Sequence, residues 1–167
     1  MAAFGYIRNM SQHGTEQSSV IIPPVFSRRA GRHKQGASLG LTASNTAELI
    51  QQLERGLPFK AFDALESNSG VSGSLLASII GIPERTLARR KSAGKLTPDE
   101  SERLLRISTI FEKAVELHEG DIAAAVNWLT TPKKTLNHQS PLVYSRTELG
   151  AREVENLIGR LEHGIFS

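Results

Sequence analysis

Hydrophobic and polar positions follow the period of an α-helix through most of the chain from Ser44 onward. Leucine, isoleucine and valine recur every three or four residues, and no segment keeps the period of two that marks a strand. Capping residues, glycines and prolines divide this pattern into short helices. The predicted helices cover 46–55, 58–67, 73–80, 83–92, 98–119, 122–130 and 148–162, with one helical turn at 141–144. The pattern therefore predicts an all-α fold.

The longest predicted helix also has the clearest start. Thr97 is the N-cap, Pro98 is the first helical residue, and Glu100 completes a capping box with Thr97. An apolar stripe then recurs along the helix at Leu104, Ile107, Phe111, Ala114 and His118. His118, on the apolar side of this helix, is expected to be packed or half-exposed and not to act as a ligand.

Residues 1–44 differ from the rest of the chain. They are rich in glycine, serine and glutamine, contain the pair Pro23-Pro24, and show no helical period. We predict a flexible, poorly structured N-terminal arm. The arm carries a basic cluster of Arg28, Arg29, Arg32, His33 and Lys34. Two interpretations stay open, a solvated tail without a role and an arm that contacts DNA phosphates.

Residues 73–90 have the layout of a helix-turn-helix. Ala77 is small enough for a second helix to approach, and Gly81 can adopt the positive φ that a tight turn requires. The buried wedge between the two helices would be Leu76, Ile80, Ile82 and Leu87. The residues predicted to contact DNA are Glu84, Arg85, Thr86, Arg89, Arg90, Lys91 and Lys95. The alternative is an ordinary helical corner with a solvated basic face.

Charge is divided unevenly along the chain. Residues 1–96 carry 12 Lys and Arg against 6 Asp and Glu, whereas residues 97–167 carry 8 against 11. The basic half favours a polyanionic partner such as DNA. The chain has no cysteine, no long apolar run and no secretory pattern at its first residues, so we expect a cytoplasmic protein without disulfides.

No catalytic constellation is evident in the sequence. The five histidines do not cluster, and there is no phosphate-binding loop, His-Glu-x-x-His or Gly-x-Ser-x-Gly motif. The acids that follow Thr97 lie where a helix N-terminus prefers negative charge. We therefore predict a protein that is not an enzyme and uses no metal and no cofactor.

Several blocks of sequence, in a consistent order, carry a resemblance to a known family. The blocks are 85–91, 96–104, 125–129 around Trp128-Leu129, 132–136, and 147–154 running into 159–166. Residues 82–167 thereby resemble the Xre/MbcA/ParS antitoxins, the partners of RES-domain toxins; residues 45–81 match loosely and residues 1–44 do not match. One departure is Asn137-His138-Gln139-Ser140, where the family usually has glycines before Pro141-Leu142.

The resemblance implies two binding functions. Residues 45–110 would form a helix-turn-helix domain that binds the operator of its own operon, usually as a homodimer. Residues 111–167 would form a toxin-binding domain that blocks the active-site cleft of an NAD-consuming RES toxin, in a hetero-oligomer with it. Such a protein would be a transcriptional repressor found on the nucleoid at its operator.

The end of the chain suggests how a cleft could be blocked. The last helix is followed by a short apolar tip and a carboxylate, which could plug a site built for an anionic substrate. The residues predicted to bind toxin are Arg152, Arg160, Glu162, His163, Ile165, Phe166 and Ser167. The alternative is that Ile165 and Phe166 fold back onto the protein's own core.

Two rival functions remain at this point. A stand-alone helix-turn-helix repressor with no toxin partner would bind DNA without rescuing growth. An interaction module with a degenerate DNA-binding region would bind its partner and would not respond to replacement of Arg85 or Arg89.

Overall fold

The computed structural model describes residues 34–164. Within them, eight α-helices follow one another without a strand. They are α1 (Thr46–Arg55), α2 (Phe59–Ser69), α3 (Gly73–Ile79), α4 (Glu84–Ala93), α5 (Pro98–Leu117), α6 (Ile122–Thr130), α7 (Pro141–Tyr144) and α8 (Glu148–Glu162). The all-α prediction is confirmed, and the predicted bounds of α1, α6, α7 and α8 agree with those observed.

Helix α5 is the centre of the fold. It packs against α1, α2, α6 and α8. The predicted stripe is buried at Leu104, Ile107, Phe111 and Ala114, each no more than 2% exposed. His118 ends the stripe half-buried, with its ring 6.4 Å from that of Trp128. Both candidate surfaces described below are tied to α5, through Glu100 at its start and through Arg106 and Lys113 further along.

The predicted arm over 1–44 needs a correction at its end, because residues 34–44 are ordered against the core. A short 3₁₀ helix spans Ala37–Leu39, and Leu39 is buried against α2 and α5. Ser38 is fully buried, and its backbone N–H and hydroxyl donate to Glu112 Oε1 at 2.8 and 2.6 Å. The amide of Asn68 donates to the Ser38 carbonyl at 2.8 Å. The rest of the predicted arm, 1–33, lies outside the described residues.

The loop that departs from the family pattern keeps its turn. Asn137 and His138 both have left-handed backbone conformations, with φ of 53° and 60°. The backbone N–H groups of Lys133 and His138 close the loop by donating to Gln139 and Lys133 carbonyls at 3.0 Å. Asparagine tolerates this conformation better than most residues, so the expected turn survives without glycine.

The junction between α7 and α8 depends on a glycine. A Cβ at Gly150 would collide with the carbonyl oxygen of Tyr144, whereas a Cβ at Gly159, further along α8, would meet nothing within 4 Å. Gly150→Ala should therefore lower the free energy of unfolding by about 1–3 kcal/mol. The matched Gly159→Ala should raise it by roughly 0.5–1 kcal/mol, because alanine favours a helix. Urea unfolding of both variants measures the difference; a stabilising Gly150→Ala would contradict the close approach.

No helix within residues 34–164 is long and apolar enough to cross a membrane.

Candidate functional site

The predicted helix-turn-helix is present as α3 and α4. Gly81 adopts a φ of +72° in the turn, and the backbone N–H of Ile82 donates to the Ala77 carbonyl at 2.8 Å. Leu76, Ile80 and Ile82 are buried at 2% exposure or less, as the wedge requires. Leu87 is only partly buried against the same cluster. No residue of α4 is fully buried, so this helix offers most of its surface to a partner.

Two arginines occupy the outward face of α4. Arg85 and Arg89 are one helical turn apart and are both exposed, with exposed Ser92 beside them. Arginine at this spacing can form forked hydrogen bonds with guanine or hold backbone phosphates. Among the residues predicted to contact DNA, Arg85 and Arg89 therefore have the positions best suited to contact bases in a DNA groove.

Arg90 and Thr86 lie on the other side of α4, toward α5, and here the structure differs from the prediction. Nε of Arg90 donates to both carboxylate oxygens of Glu100 at 3.1 and 2.8 Å, and the Arg90 side chain is 22% exposed. Thr86 is half-buried. The Arg90–Glu100 pair holds the second helix of the motif on the start of α5, so Arg90 has a structural function that the basic pattern did not indicate.

The remaining three predicted residues lie at the margins of α4. Glu84 and Lys91 are exposed and line an open groove between α2, α3 and α4. Lys95 follows the helix and is exposed; its backbone pairs with Pro58 in an isolated antiparallel bridge. The structure therefore does not bring all seven predicted residues onto one face.

The carboxylate of Glu100 has several partners. It accepts from Arg90 and from the backbone N–H of Thr97 at 2.8 Å, and the Thr97 hydroxyl caps Glu100 N in return. Burial favours a higher pKa for Glu100, but the hydrogen bonds from Arg90 and Thr97 outweigh it and hold the pKa below the ordinary 4.5. Glu100 therefore stabilises the fold in its charged form.

This depressed pKa predicts a pH-dependent stability. Its contribution is present above pH 4.5, where the unfolded chain is also ionised, and is lost as the pH falls through the lower folded pKa. Glu100→Gln should lower the free energy of unfolding by about 1.5–3 kcal/mol at pH 7. The difference from the unsubstituted protein should shrink below pH 4.5. Urea titrations at pH 7 and pH 3 measure it, and a difference that grows toward pH 3 would contradict this assignment.

Helix α8 presents a second exposed face. Its inner side buries Ala151, Val154 and Ile158. The opposite side carries Leu149, the most exposed large apolar residue among residues 34–164, at 77%. We define the α8 face by its exposed residues Leu149, Arg152, Glu153, Asn156, Arg160 and His163. Leu149 is a single exposed leucine among the charged and polar residues of this face.

The predicted toxin-binding residues divide between this face and its surroundings. Arg152, Arg160 and His163 belong to the α8 face, whereas Glu162 is exposed but lies about 130° around the helix from the centre of that face, near Glu155. Glu155 forms an ion pair with Lys113 of α5. Ile165, Phe166 and Ser167 lie outside the described residues. Leu149 was not among the residues predicted to bind toxin. Its position in the sequence does indicate that it is exposed, because it lies on the side of α8 opposite Val154 and Ile158.

Comparison with known proteins assigns both regions. Residues 48–108 match the antitoxin Xre-like helix-turn-helix domain, and residues 113–164 match the antitoxin Xre/MbcA/ParS C-terminal toxin-binding domain. An antitoxin Xre from Yersinia enterocolitica is 40% identical over 130 residues, which are 77% of this chain and 88% of that protein. The chain belongs to the Xre antitoxin family.

Other relatives agree with this family. An antitoxin Xre from Photorhabdus laumondii is 37% identical over 131 residues, 78% of this chain and 88% of that protein. An antitoxin Xre from Pseudomonas putida is 34% identical over 84 residues, 50% of this chain and 52% of that protein. The relatives are bacterial proteins, and the resemblance described from the sequence blocks is confirmed.

Family membership fixes the broad function of this antitoxin. It has a DNA-binding helix-turn-helix and a toxin-binding domain, and it is not an enzyme. A repressor without any toxin partner does not fit a chain with this C-terminal domain. Among residues 34–164, no group of three or more His, Asp or Glu could hold a metal ion. The division at residue 110 falls within α5 and stays a prediction, because that helix is continuous.

The two surfaces of the antitoxin contact α5 at different points along its length. Helix α4 is tied to Glu100 in the first turn of α5. Helix α8 is joined to α5 by the Arg106–Glu148 and Lys113–Glu155 ion pairs. Glu100 lies 6 residues before Arg106 and 13 before Lys113, which correspond to about 9 and 20 Å of helix. Partners on the two surfaces can therefore bind at separate places.

Proposed function

We propose that this antitoxin neutralises an NAD-consuming toxin of the RES class by occupying its active-site cleft. The observation that carries the proposal is the α8 face. Its Leu149 is 77% exposed and has charged neighbours. Helix α8 is also the last helix before the apolar tip of the chain. The face lies within residues 113–164, which match the C-terminal toxin-binding domain, and this supports its assignment to the toxin.

Helix α8 is terminated firmly before the tip begins. The ring of His163 donates from Nδ1 to the Gly159 carbonyl at 2.7 Å, and Gly164 has a φ of +64°. The residues after Gly164 can therefore leave the helix axis. Ile165 and Phe166 would enter the toxin cleft, each contributing about 1.5–3 kcal/mol by burial. Arg152 and Arg160 would pair with acids at the cleft rim, and Glu162 with cationic groups.

A test of this function uses the protein encoded beside the antitoxin. That neighbour, purified alone, should consume NAD, and one equivalent of antitoxin should stop the consumption. Leu149→Ala should weaken the inhibition, whereas the control Lys60→Ala, at an exposed position of α2 outside the α8 face, should retain it. A neighbour that consumes no NAD, or consumption that persists with excess antitoxin, would reject the proposal.

We further propose that the antitoxin represses its own operon as a homodimer on operator DNA. The exposed pair Arg85 and Arg89 on α4 supports this proposal, because the second helix of a helix-turn-helix places such residues in the major groove. A dimer on a two-fold operator would present two copies of α4 about one DNA turn apart, roughly 34 Å. Footprinting of the upstream DNA should show two protected half-sites at that spacing.

A further inference from the structure

Two loops of the helix-turn-helix domain are paired with each other at the C-terminal end of α4. The backbone N–H of Phe59 donates to the Gly94 carbonyl at 2.9 Å, and the backbone N–H of Leu96 donates to the Leu57 carbonyl at 2.9 Å. Leu57 and Leu96 are buried at 1% and 2% exposure. The loop between α1 and α2 is therefore held in a fixed position beside the end of α4.

The outer side of these paired loops carries three exposed cations. Arg55 ends α1, Lys60 lies in the first turn of α2, and Lys95 follows α4. A Cβ at Gly56 would collide with the carbonyl oxygen of the buried residue after Lys95 and would lie 3.3 Å from Cε of Lys95. The Lys95 side chain therefore lies against the end of α1, next to Arg55. We define the loop patch as Arg55, Lys60 and Lys95.

The charges of the loop patch are not neutralised within the described part of the chain. None of its three residues forms an ion pair with a residue of 34–164. Glu54 precedes Arg55 on α1, but it lies about 100° around the helix from it. Asp63 on α2 lines the groove between α2, α3 and α4, and no residue of the loop patch lines that groove. Neighbouring cations repel one another, so the loop patch favours an anionic partner.

The loop patch lies just beyond the C-terminal end of the helix that carries Arg85 and Arg89. Lys95 follows Arg85 by ten residues and Arg89 by six, which correspond to about 15 and 9 Å along the direction of α4. The major groove of DNA is about 12 Å wide and is bordered by phosphates. With Arg85 and Arg89 inside the groove, cations at the end of α4 are at the right distance to meet the phosphates that border it.

We propose that Arg55, Lys60 and Lys95 bind backbone phosphates of DNA at the edge of the groove that α4 enters. This inference rests on the proposed binding of operator DNA and adds the loop between α1 and α2 to that interface. The residues predicted from the sequence to contact DNA all lie between Glu84 and Lys95. Phosphate contacts position α4 on the duplex and carry no base preference. The pairing of the two loops holds these cations in place before DNA binds.

The salt dependence of DNA affinity tests the loop patch, because each phosphate contact releases counterions. Arg55→Gln and Lys60→Gln should each reduce the slope of log affinity against log salt concentration by about 0.9, and the double variant by about 1.8. Affinities for the operator and for an unrelated duplex should fall by the same factor. Lys134→Gln, which removes an exposed lysine from the toxin-binding domain, is the matched control and should keep the slope. Slopes of the patch variants equal to that of the control would overturn the proposal.

Charge-conserving variants distinguish phosphate binding from an effect on the fold. Arg55→Lys and Lys60→Arg should keep the slope of the unsubstituted protein, and circular dichroism verifies that every variant has the same helix content. If Arg55→Lys lowers the slope as much as Arg55→Gln, the loop patch does not act through its charge. Normal operator binding with an unchanged slope in the double variant contradicts the loop patch alone. An unsubstituted antitoxin that does not bind its operator contradicts the proposed repression as well.

Discussion

Removing residues 164–167 should abolish toxin neutralisation and leave operator binding unchanged. Helix α8 ends at Glu162, with His163 already capping it, so the deletion leaves the helix and its packing on α5 in place. The lost burial of Ile165 and Phe166 is about 3–6 kcal/mol, which corresponds to more than roughly 100-fold in Kd. NAD consumption by the toxin at a fixed antitoxin concentration measures the effect.

Two comparisons make the deletion informative. The Arg85→Ala antitoxin should neutralise the toxin as well as the unsubstituted protein, because Arg85 lies on α4. Circular dichroism of the truncated chain should show the same helix content and thermal midpoint. A truncated antitoxin that still blocks the toxin would mean that the α8 face alone is sufficient and that the tip does not enter the cleft.

Replacing Arg85 or Arg89 by alanine should weaken operator binding and spare toxin binding. Both arginines are exposed on the outward face of α4, and neither forms an ion pair with another residue of 34–164. Loss of one base or phosphate contact should cost about 1–3 kcal/mol, or roughly 5- to 150-fold in Kd. A mobility-shift titration at fixed salt gives the change, because affinity for DNA depends steeply on salt.

Substitutions of two other arginines distinguish a loss of DNA contact from a loss of stability. Arg146→Ala removes an exposed arginine in the turn before α8 and should leave operator affinity unchanged. Arg90→Ala should lower the thermal midpoint, because it breaks the pair with Glu100. If Arg85→Ala and Arg146→Ala lower operator affinity equally, the effect is one of net charge and α4 does not read the groove.

The helices were predictable because their boundaries are set locally. Thr97, Asp121 and Thr147 cap the helices that begin after them, and each side chain accepts a hydrogen bond from a backbone N–H three residues on. These bonds depend on a few neighbouring residues. The helix-turn-helix was predictable for the same reason. A small residue at Ala77 and a glycine four residues later, at Gly81, are local requirements of the turn.

Contacts between distant residues were not predictable from the sequence pattern. Arg90 and Lys91 look equivalent in a basic run, yet only Arg90 meets a buried carboxylate ten residues away on another helix. The ordered segment 34–44 likewise depends on Ser38 meeting Glu112, which is 74 residues away in the chain. Such pairings follow from the packing of α5, which a local period does not specify.

The residues of the two candidate surfaces could also be predicted only in part from the sequence. The helical period of α8 separates buried Val154 and Ile158 from exposed Arg152 and Arg160. The predicted toxin-binding set nevertheless grouped Glu162 with these arginines. Its members were chosen because they are close in sequence, and Glu162 lies on a different side of the helix. Leu149 could have been identified from the same helical geometry, since it lies opposite Val154 and Ile158.

The central claim is that DNA and toxin bind this antitoxin on separate surfaces, the outward side of α4 and the α8 face. The measurement that tests it most directly is a mobility shift of operator DNA bound by the antitoxin, with the toxin added stepwise. Separate surfaces predict a slower band that contains DNA, antitoxin and toxin together. Release of free DNA in proportion to the toxin added would show that the two partners compete for one surface.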